Sequence, residues 1–352
     1  MTVSSLTYPV WEPERAQEWG AHQPWLIGCN YAPAYAINQL EFWQEETFDP
    51  KAIETELDLA EGIGFNTLRV YLHDLLWRDG AAFLSRLDTF LGIANARGMR
   101  TLFVFFDSCW YPFPLSGPQR SPEPGVHNSG WVQSPGVPIL RDPARFDALE
   151  AYVSGVTAHF REDARVLGWD VWNEPDNPNT SSYGTRDLGD RKPDTVLPLL
   201  AKAFDWVRSA RPTQPVTCGL WHGAWEEEKL NDFHRFQRDA SDVISYHCYD
   251  GLDAMKRRVD SLPGDRPLLC TEYMARGAGS TFEGILPYLK ERKIGAYNWG
   301  FVQGRTQTHL PWDSWQRPYV EGEPDPWFHE IFRADHTPYR SEETDLIRAI
   351  TT

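Results

Sequence analysis

The chain has 352 residues, more than one average domain but within the 250 or more that an α/β barrel uses as one unit. Its formal charge of −16 argues against nucleic acid and anionic membrane surfaces as partners, since both select basic patches. Hydrophobic residues at 41% and charged residues at 24% describe a globular chain. The 16 tryptophans call for either a large aromatic core or a surface that stacks flat-faced ligands.

Residues 1–24 contain no basic segment followed by an apolar one, so they read as an N-terminal extension without a secretory signal. With no apolar run approaching ~18 residues, the expectation is a cytoplasmic protein of one domain, 1–352, with its barrel at 25–333. Five cysteines, at 29, 109, 218, 248 and 270, are an odd number without CxxC or zinc spacing, so neither a disulfide framework nor a zinc finger is expected. They fall in or just after apolar runs and read as small wall residues.

Those runs are eight: 25–30, 66–72, 101–107, 166–174, 215–221, 243–249, 267–273 and 294–301. Each is continuously apolar, as parallel strands buried on both faces are. Amphipathic segments alternate with them. Asp49-Pro50 caps a helix that Gly62 and Gly64 end. Phe83, Leu87, Phe90, Leu91 and Ala94 form a stripe that stops at Gly98. Asp142-Pro143 repeats the cap before Phe146, Leu149, Val153, Val156 and Phe160, and Val196 to Val207 form a fourth helix. Later helices are expected at 226–239, 252–261, 281–291 and 325–333. Eight such units closing on themselves make an α/β fold, a single (β/α)8 TIM barrel. A doubly wound sheet would need a Gly-rich phosphate turn after the first strand, and Cys29-Asn30-Tyr31-Ala32-Pro33 is not one. Long βα loops at 30–48, 108–141, 175–193 and 301–325 would all lie on the C-terminal face, where barrel enzymes build their sites.

The chemistry concentrates at strand ends. Strand four ends in Asn173-Glu174-Pro175, and Pro cannot continue the ladder, so Glu174 sits at the tip facing the mouth. Beside Trp169 and Trp172 its protonated form would be favoured, which suits a general acid, although a capping glutamate is the plainer reading of Glu-Pro alone. Strand seven ends in Glu272-Tyr273. Two glutamates three strands apart can face each other across the mouth, and glycoside hydrolysis needs such a pair. Arg69 lies inside an apolar run, where a charge needs a partner; it either holds Glu272 ionised or makes an ordinary buried ion pair. His247 and Tyr249 are two apart at the end of strand six and point the same way. Tyr249 could donate to Glu272, and His247 could bind substrate. Trp299 ends strand eight and could floor a sugar ring or fill the core. Asp74, Asp107, Asp176 and Asp250 near strand ends could bind hydroxyls or cap helices.

Taken together, Asn173-Glu174-Pro175, Glu272, Arg69, His247-Cys248-Tyr249 and Trp299 resemble the retaining (β/α)8-barrel glycoside hydrolase clan, closest to the cellulase-like glycoside hydrolase family 5, over residues 66–301. The resemblance implies Glu174 as acid/base and Glu272 as nucleophile. It implies Asn173 as donor to the sugar 2-hydroxyl, Arg69 and Tyr249 as holders of Glu272, and His247 and Trp299 in the −1 subsite. It also implies a cis peptide after Trp299. The chain departs from the family at strand three, with Asp107-Ser108-Cys109-Trp110 where many members have a histidine, and in its first loop.

The reading is a retaining β-glycosidase acting on β-linked oligo- or polysaccharides, needing no metal and no cofactor. Among the loop aromatics Trp110, Trp131 and Trp312 are the expected sugar contacts. Long loops and a cytoplasmic location suggest an exo-acting or oligosaccharide-trimming enzyme; an endo-acting glycanase or a transglycosidase uses the same residues. A non-catalytic carbohydrate binder would not need both glutamates. A metal-dependent barrel hydrolase would need more histidines at strand ends than His247 and His73.

Overall fold

The computed structural model describes residues 6–352, so residues 1–5 of the expected extension lie outside the described residues. All eight apolar runs form strands: β1 Ile27–Asn30, β2 Thr67–Tyr71, β3 Arg100–Asp107, β4 Val166–Asn173, β5 Val216–Thr217, β6 Ile244–His247, β7 Leu268–Tyr273 and β8 Gly295–Asn298. Every ladder is parallel, in the order β5-β4-β3-β2-β1-β8-β7-β6. The remaining gap, between β5 and β6, is closed by a single parallel bridge, Leu220 to Tyr246, with Leu220 N donating to Ser245 O at 3.0 Å. The result is a (β/α)8 barrel. β1 and β2 approach so closely that a Cβ on Gly28 would stand 1.7 Å from the Thr67 carbonyl, so only glycine fits there.

Eight helices form the outer ring: α1 Pro50–Gly62, α2 Gly80–Asn95, α3 Glu150–Phe160, α4 Lys192–Ser209, α5 Asp232–Asp239, α6 Leu252–Asp260, α7 Phe282–Glu291 and α8 Ser341–Thr351. Asp49 caps α1 as its sequence predicts, accepting from Lys51 N and Ala52 N at 3.0 and 3.1 Å. Three expectations are corrected. Asp142 makes no side-chain cap; a 3-10 turn, Pro143–Leu149, leads into α3 instead. α5 starts only at Asp232, where Asn231 accepts from His234 N at 2.7 Å. No helix forms at 325–333; its apolar residues lie in an irregular buried segment whose Ile331 and Phe332 amides donate to Phe301 O. The eighth helix is α8, so the barrel runs past 333.

The segment ahead of β1 is packed rather than loose. It carries a helix, Pro13–Ala21, and Trp11 N donates to Asp242 at 2.8 Å. Trp19 packs on a layer made by Leu26, Leu102, Leu167, Val243, Leu269 and Tyr297 at the strand starts, plugging the barrel's N-terminal end. The long connections after β1, β3, β4 and β8 all rise from the opposite, C-terminal end. No helix is long and apolar enough to cross a membrane among the described residues.

Candidate active site

β2 places Arg69 on the barrel axis with no exposure. Its guanidinium donates to Asp170 Oδ2 on β4 through both Nε and Nη2, at 3.0 and 2.8 Å, and to Asn173 Oδ1 at 2.9 Å. Nη1 reaches Asn30 Oδ1 at 2.8 Å and Glu272 Oε1 at 2.8 Å. One buried cation thus ties β1, β2, β4 and β7 together. Desolvation works against its charge, and Tyr71, Asp170 and Glu272 outweigh it, so Arg69 stays protonated.

Glu272 receives two more donors. The Tyr71 hydroxyl donates to Oε1 at 2.8 Å and the Tyr249 hydroxyl to Oε2 at 2.7 Å. Burial and the Glu272 charge push both phenols well above their ordinary range, so both keep the proton they donate. Tyr71 was not singled out from sequence, although its signal was present: it lies two residues after Arg69 on a strand, hence on the same face.

At the tip of β4, Glu174 adopts φ +44°, a left-handed conformation costly for a non-glycine residue and typical of sites that over-determine it. Its Oε1 contacts His247 Nδ1 at 2.8 Å, and its Oε2 accepts from Asn177 Nδ2 at 2.6 Å and Cys109 Sγ at 3.2 Å. Burial pushes this carboxyl up, but the hydrogen bond and charge of His247, with Asn177 and Cys109, outweigh burial and hold it below the ordinary carboxylate range. The expected rise caused by Trp169 and Trp172 is therefore corrected. Those rings pack against Phe103, Phe105 and Phe106 rather than around the carboxyl.

His247 is 2% exposed and bridges the pair, lying 3.4 Å from Glu272 Oε2 as well. It contacts both carboxylates from behind the residues that line the cavity described below. Arg69 holds Glu272, as its place in an apolar run leads one to expect. One oxygen of Glu174 and one of Glu272 lie within 4.8 Å of each other.

The two carboxylates open into a cavity of about 310 Å³ on the C-terminal face, at the small end of ligand pockets. Trp110, His127, Trp131, Trp299 and Trp312 wall it, with Asp107, Asn173, Asn177, Trp221 and Tyr249. The three expected loop tryptophans are thus all present. Trp110 stacks at 5.4 Å on Trp315 behind it, and Trp312 meets Tyr249 edge-on at 5.1 Å. Other loop aromatics serve packing: Trp43 is fully buried against Phe42 and Phe90. After Trp299 the backbone turns through Gly300 at φ +81°; the cis bonds among the described residues are Ser134–Pro135 and Asp325–Pro326, so the implied cis peptide at Trp299 is corrected.

Asp107 belongs to this cavity and does not cap a helix. It accepts from Trp131 Nε1 at 2.6 Å, Cys109 N at 2.9 Å and Asn173 Nδ2 at 3.1 Å. Burial pushes it up to about 6 despite these donors. Cys109 also departs from the wall role read for the cysteines. Its thiol, raised by burial and by Glu174, stays protonated beside the carboxylate.

No family model and no curated protein matches the chain. Solved structures do. An exo-β-1,4-mannosidase from Opitutaceae bacterium strain TAV5 aligns over 100% of this chain and 62% of its own, with TM-score 0.61 and 21% identity. A β-1,4-D-mannanase from Cryptopygus antarcticus aligns over 93% of this chain and 90% of its own, with TM-score 0.58 and 13% identity. A GH5_18 protein from Streptomyces cattleya, in complex with GlcNAc, aligns over 93% and 78%, with TM-score 0.55 and 15% identity. The chain spans 62% of the mannosidase's length. At these identities the likeness establishes the fold alone, a (β/α)8 barrel.

Proposed function

We propose that the chain is a retaining β-glycosidase, with Glu272 as nucleophile and Glu174 as acid/base. The observation that carries this reading is the pair of buried carboxylates, one oxygen of each within 4.8 Å of the other's, at the floor of a tryptophan-walled cavity; the close approach fits the shorter of two known spacings. Retaining enzymes hold their carboxyls ~5–5.5 Å apart, and inverting ones ~6.5–9.5 Å to admit a water.

Each carboxylate is equipped for its part. Glu272, fixed by Arg69, Tyr71 and Tyr249, attacks the anomeric carbon. Glu174 gives its proton to the leaving oxygen. Once Glu272 is esterified its charge is gone, and the repulsion that favours a proton on Glu174 goes with it. Glu174 then takes a proton from the incoming water, with His247 and Asn177 stabilising its charged form. Asn173, held by Arg69 and Asp107 at the cavity wall, is the proposed donor to the sugar 2-hydroxyl through the remaining N–H of its amide. Trp299 and Trp131 offer apolar faces for the C–H side of a ring.

The substrate class is a β-linked oligosaccharide, and β-mannosides come first in the order of trial because two of the structural neighbours named above are a mannosidase and a mannanase. Exo or trimming action fits the small, walled cavity better than an open cleft would. The test is proton NMR of the products from β-linked manno-, gluco-, galacto- and xylo-oligosaccharides, followed from the first minute with wild type and Glu272→Ala in parallel. β-Anomer released first by wild type, with Glu272→Ala inert, is the expected result. α-Anomer released first, or an active Glu272→Ala, would overturn the assignment.

A further inference from the structure

We infer that Asp176, His222 and His234 form a divalent-cation site of the zinc class, separate from the carboxylate pair. The inference does not depend on the glycosidase reading. Asp176 sits in the loop after β4, His222 in the loop after β5, and His234 on α5. His222 Nε2 and His234 Nε2 both lie 2.8 Å from the same oxygen, Asp176 Oδ2. The other oxygen, Oδ1, is fixed by the Trp221 indole at 2.6 Å. An outer hydrogen bond that orients a carboxylate, leaving one oxygen facing two imidazoles, is the usual support of a metal ligand.

The donor set is two imidazole nitrogens and a carboxylate oxygen, which suits zinc and neighbouring transition ions rather than calcium or magnesium. Three protein ligands leave a fourth position for water. The His222 side chain is 43% exposed and gives the entry path, while those of His234 and Asp176 are 2% and 3% exposed. Nδ1 of neither ring makes a hydrogen bond among the described residues, so each ring's proton can sit there when Nε2 turns to a metal. Bond lengths of ~2.0–2.1 Å imply a ligand-to-ligand edge of about 3.3 Å, so each Asp176-to-imidazole edge, now 2.8 Å, lengthens by about half an ångström on binding, and the two imidazole nitrogens start within 4.8 Å of each other.

A second trio, Glu174, His247 and Glu272, also brings its ligand atoms together. There, however, the Arg69 guanidinium already supplies a positive charge 2.8 Å from Glu272 Oε1. Around Asp176 the facing charges are Glu174, which favours a cation, and Arg258, which opposes one but is engaged with the Gly223 carbonyl.

Occupancy would bind three segments at the thinnest part of the barrel, where β5 contributes a two-residue strand and one bridge to β6. It would also fix Trp221, next to His222, in the cavity wall.

The test uses tag-free protein stripped by chelator and titrated with zinc chloride by calorimetry, with thermal melts run alongside. Wild type should bind one zinc per chain and melt higher with it. His222→Ala and His234→Gln should each weaken binding by more than about 100-fold, beyond the 10–100-fold of an outer-shell loss. Glu272→Gln should bind as wild type. His222→Ala alters a half-exposed side chain, and its metal-free melt reports folding directly. Absence of stoichiometric binding by wild type, undiminished binding by folded His222→Ala, or loss of binding in Glu272→Gln would each overturn the inference.

Discussion

Tyr71 and Asn177 are the side chains through which the carboxylate pair can be probed without removing either member. Tyr71→Phe deletes one donor to Glu272. A hydrogen bond to a charged group is worth about 1.5–3 kcal/mol, so kcat/KM should fall by roughly 10–100-fold with the fold intact by circular dichroism. Asn177→Ala removes a donor that favours the charged form of Glu174. In the proposed mechanism the first chemical step needs that carboxyl protonated. Its depressed proton affinity in the free protein therefore places the basic limb of kcat/KM on the acid side of an ordinary glutamate, with activity lost as pH rises through it. Asn177→Ala should move that limb to higher pH, and a pH–rate profile that stays in place would count against Glu174 as the acid. That the glutamates, Arg69, His247 and Tyr249 meet at one end of the barrel was legible in the sequence because charged or polar groups at the ends of apolar strands have little else to do. Asp107 and Cys109 were not, because their roles depend on partners brought from β4 and the loop after β3, at Asn173, Glu174 and Trp131. The acidity of Glu174 was misread for the same reason: adjacency to Trp169 and Trp172 in sequence says nothing about which face those rings take.

Strands were the easiest elements to read, since continuous apolar runs bounded by turn residues have one good use in a barrel. Their relative strength was not legible. The run at 215–221 looks as apolar as its neighbours, yet β5 pairs through only two residues before the chain leaves the sheet. Amides of Leu220 and His247, which carry the β5–β6 seam, should exchange with deuterium earlier than those of Phe103 and Val104 in the middle of β3. Equal protection would contradict the seam. α1 was legible from its cap, and Asp49→Ala should cost about 1 kcal/mol, read as a small fall in the melting midpoint. α8 was missed because its buried side is thin: among its apolar side chains only Ile347 is fully covered. The stretch at 325–333 misled for the opposite reason. Trp327, Phe328, Ile331 and Phe332 have helical spacing, but an irregular segment can bury them equally well when a neighbouring strand end, here Phe301, accepts its amides.

The whole molecule stores ionisable groups where they resist ionisation. Burial pushes Asp107 up to about 6, Glu56 up to about 7 and Glu330 up to about 8, and one oxygen of Glu330 has no partner. A carboxyl whose folded proton affinity exceeds its unfolded one stabilises in acid, and that contribution is lost as pH rises through the folded value. The melting midpoint should therefore drop between pH 5 and pH 8.5. Glu330→Gln should recover about 2–4 °C at pH 8.5 and change little at pH 5; an equal effect at both would refute the cause. The outer ring has its own dependence on chain order. Arg348 Nε donates to Gly62 O at 3.0 Å and Thr351 Oγ1 to Ile63 O at 3.4 Å, so α8 covers the end of α1 while packing on α7. During synthesis the first barrel helix therefore waits, its last carbonyls uncovered, until residue 351 has left the ribosome. Closure of the ring joins groups 286 residues apart in the chain, and before it the earlier units form an open horseshoe.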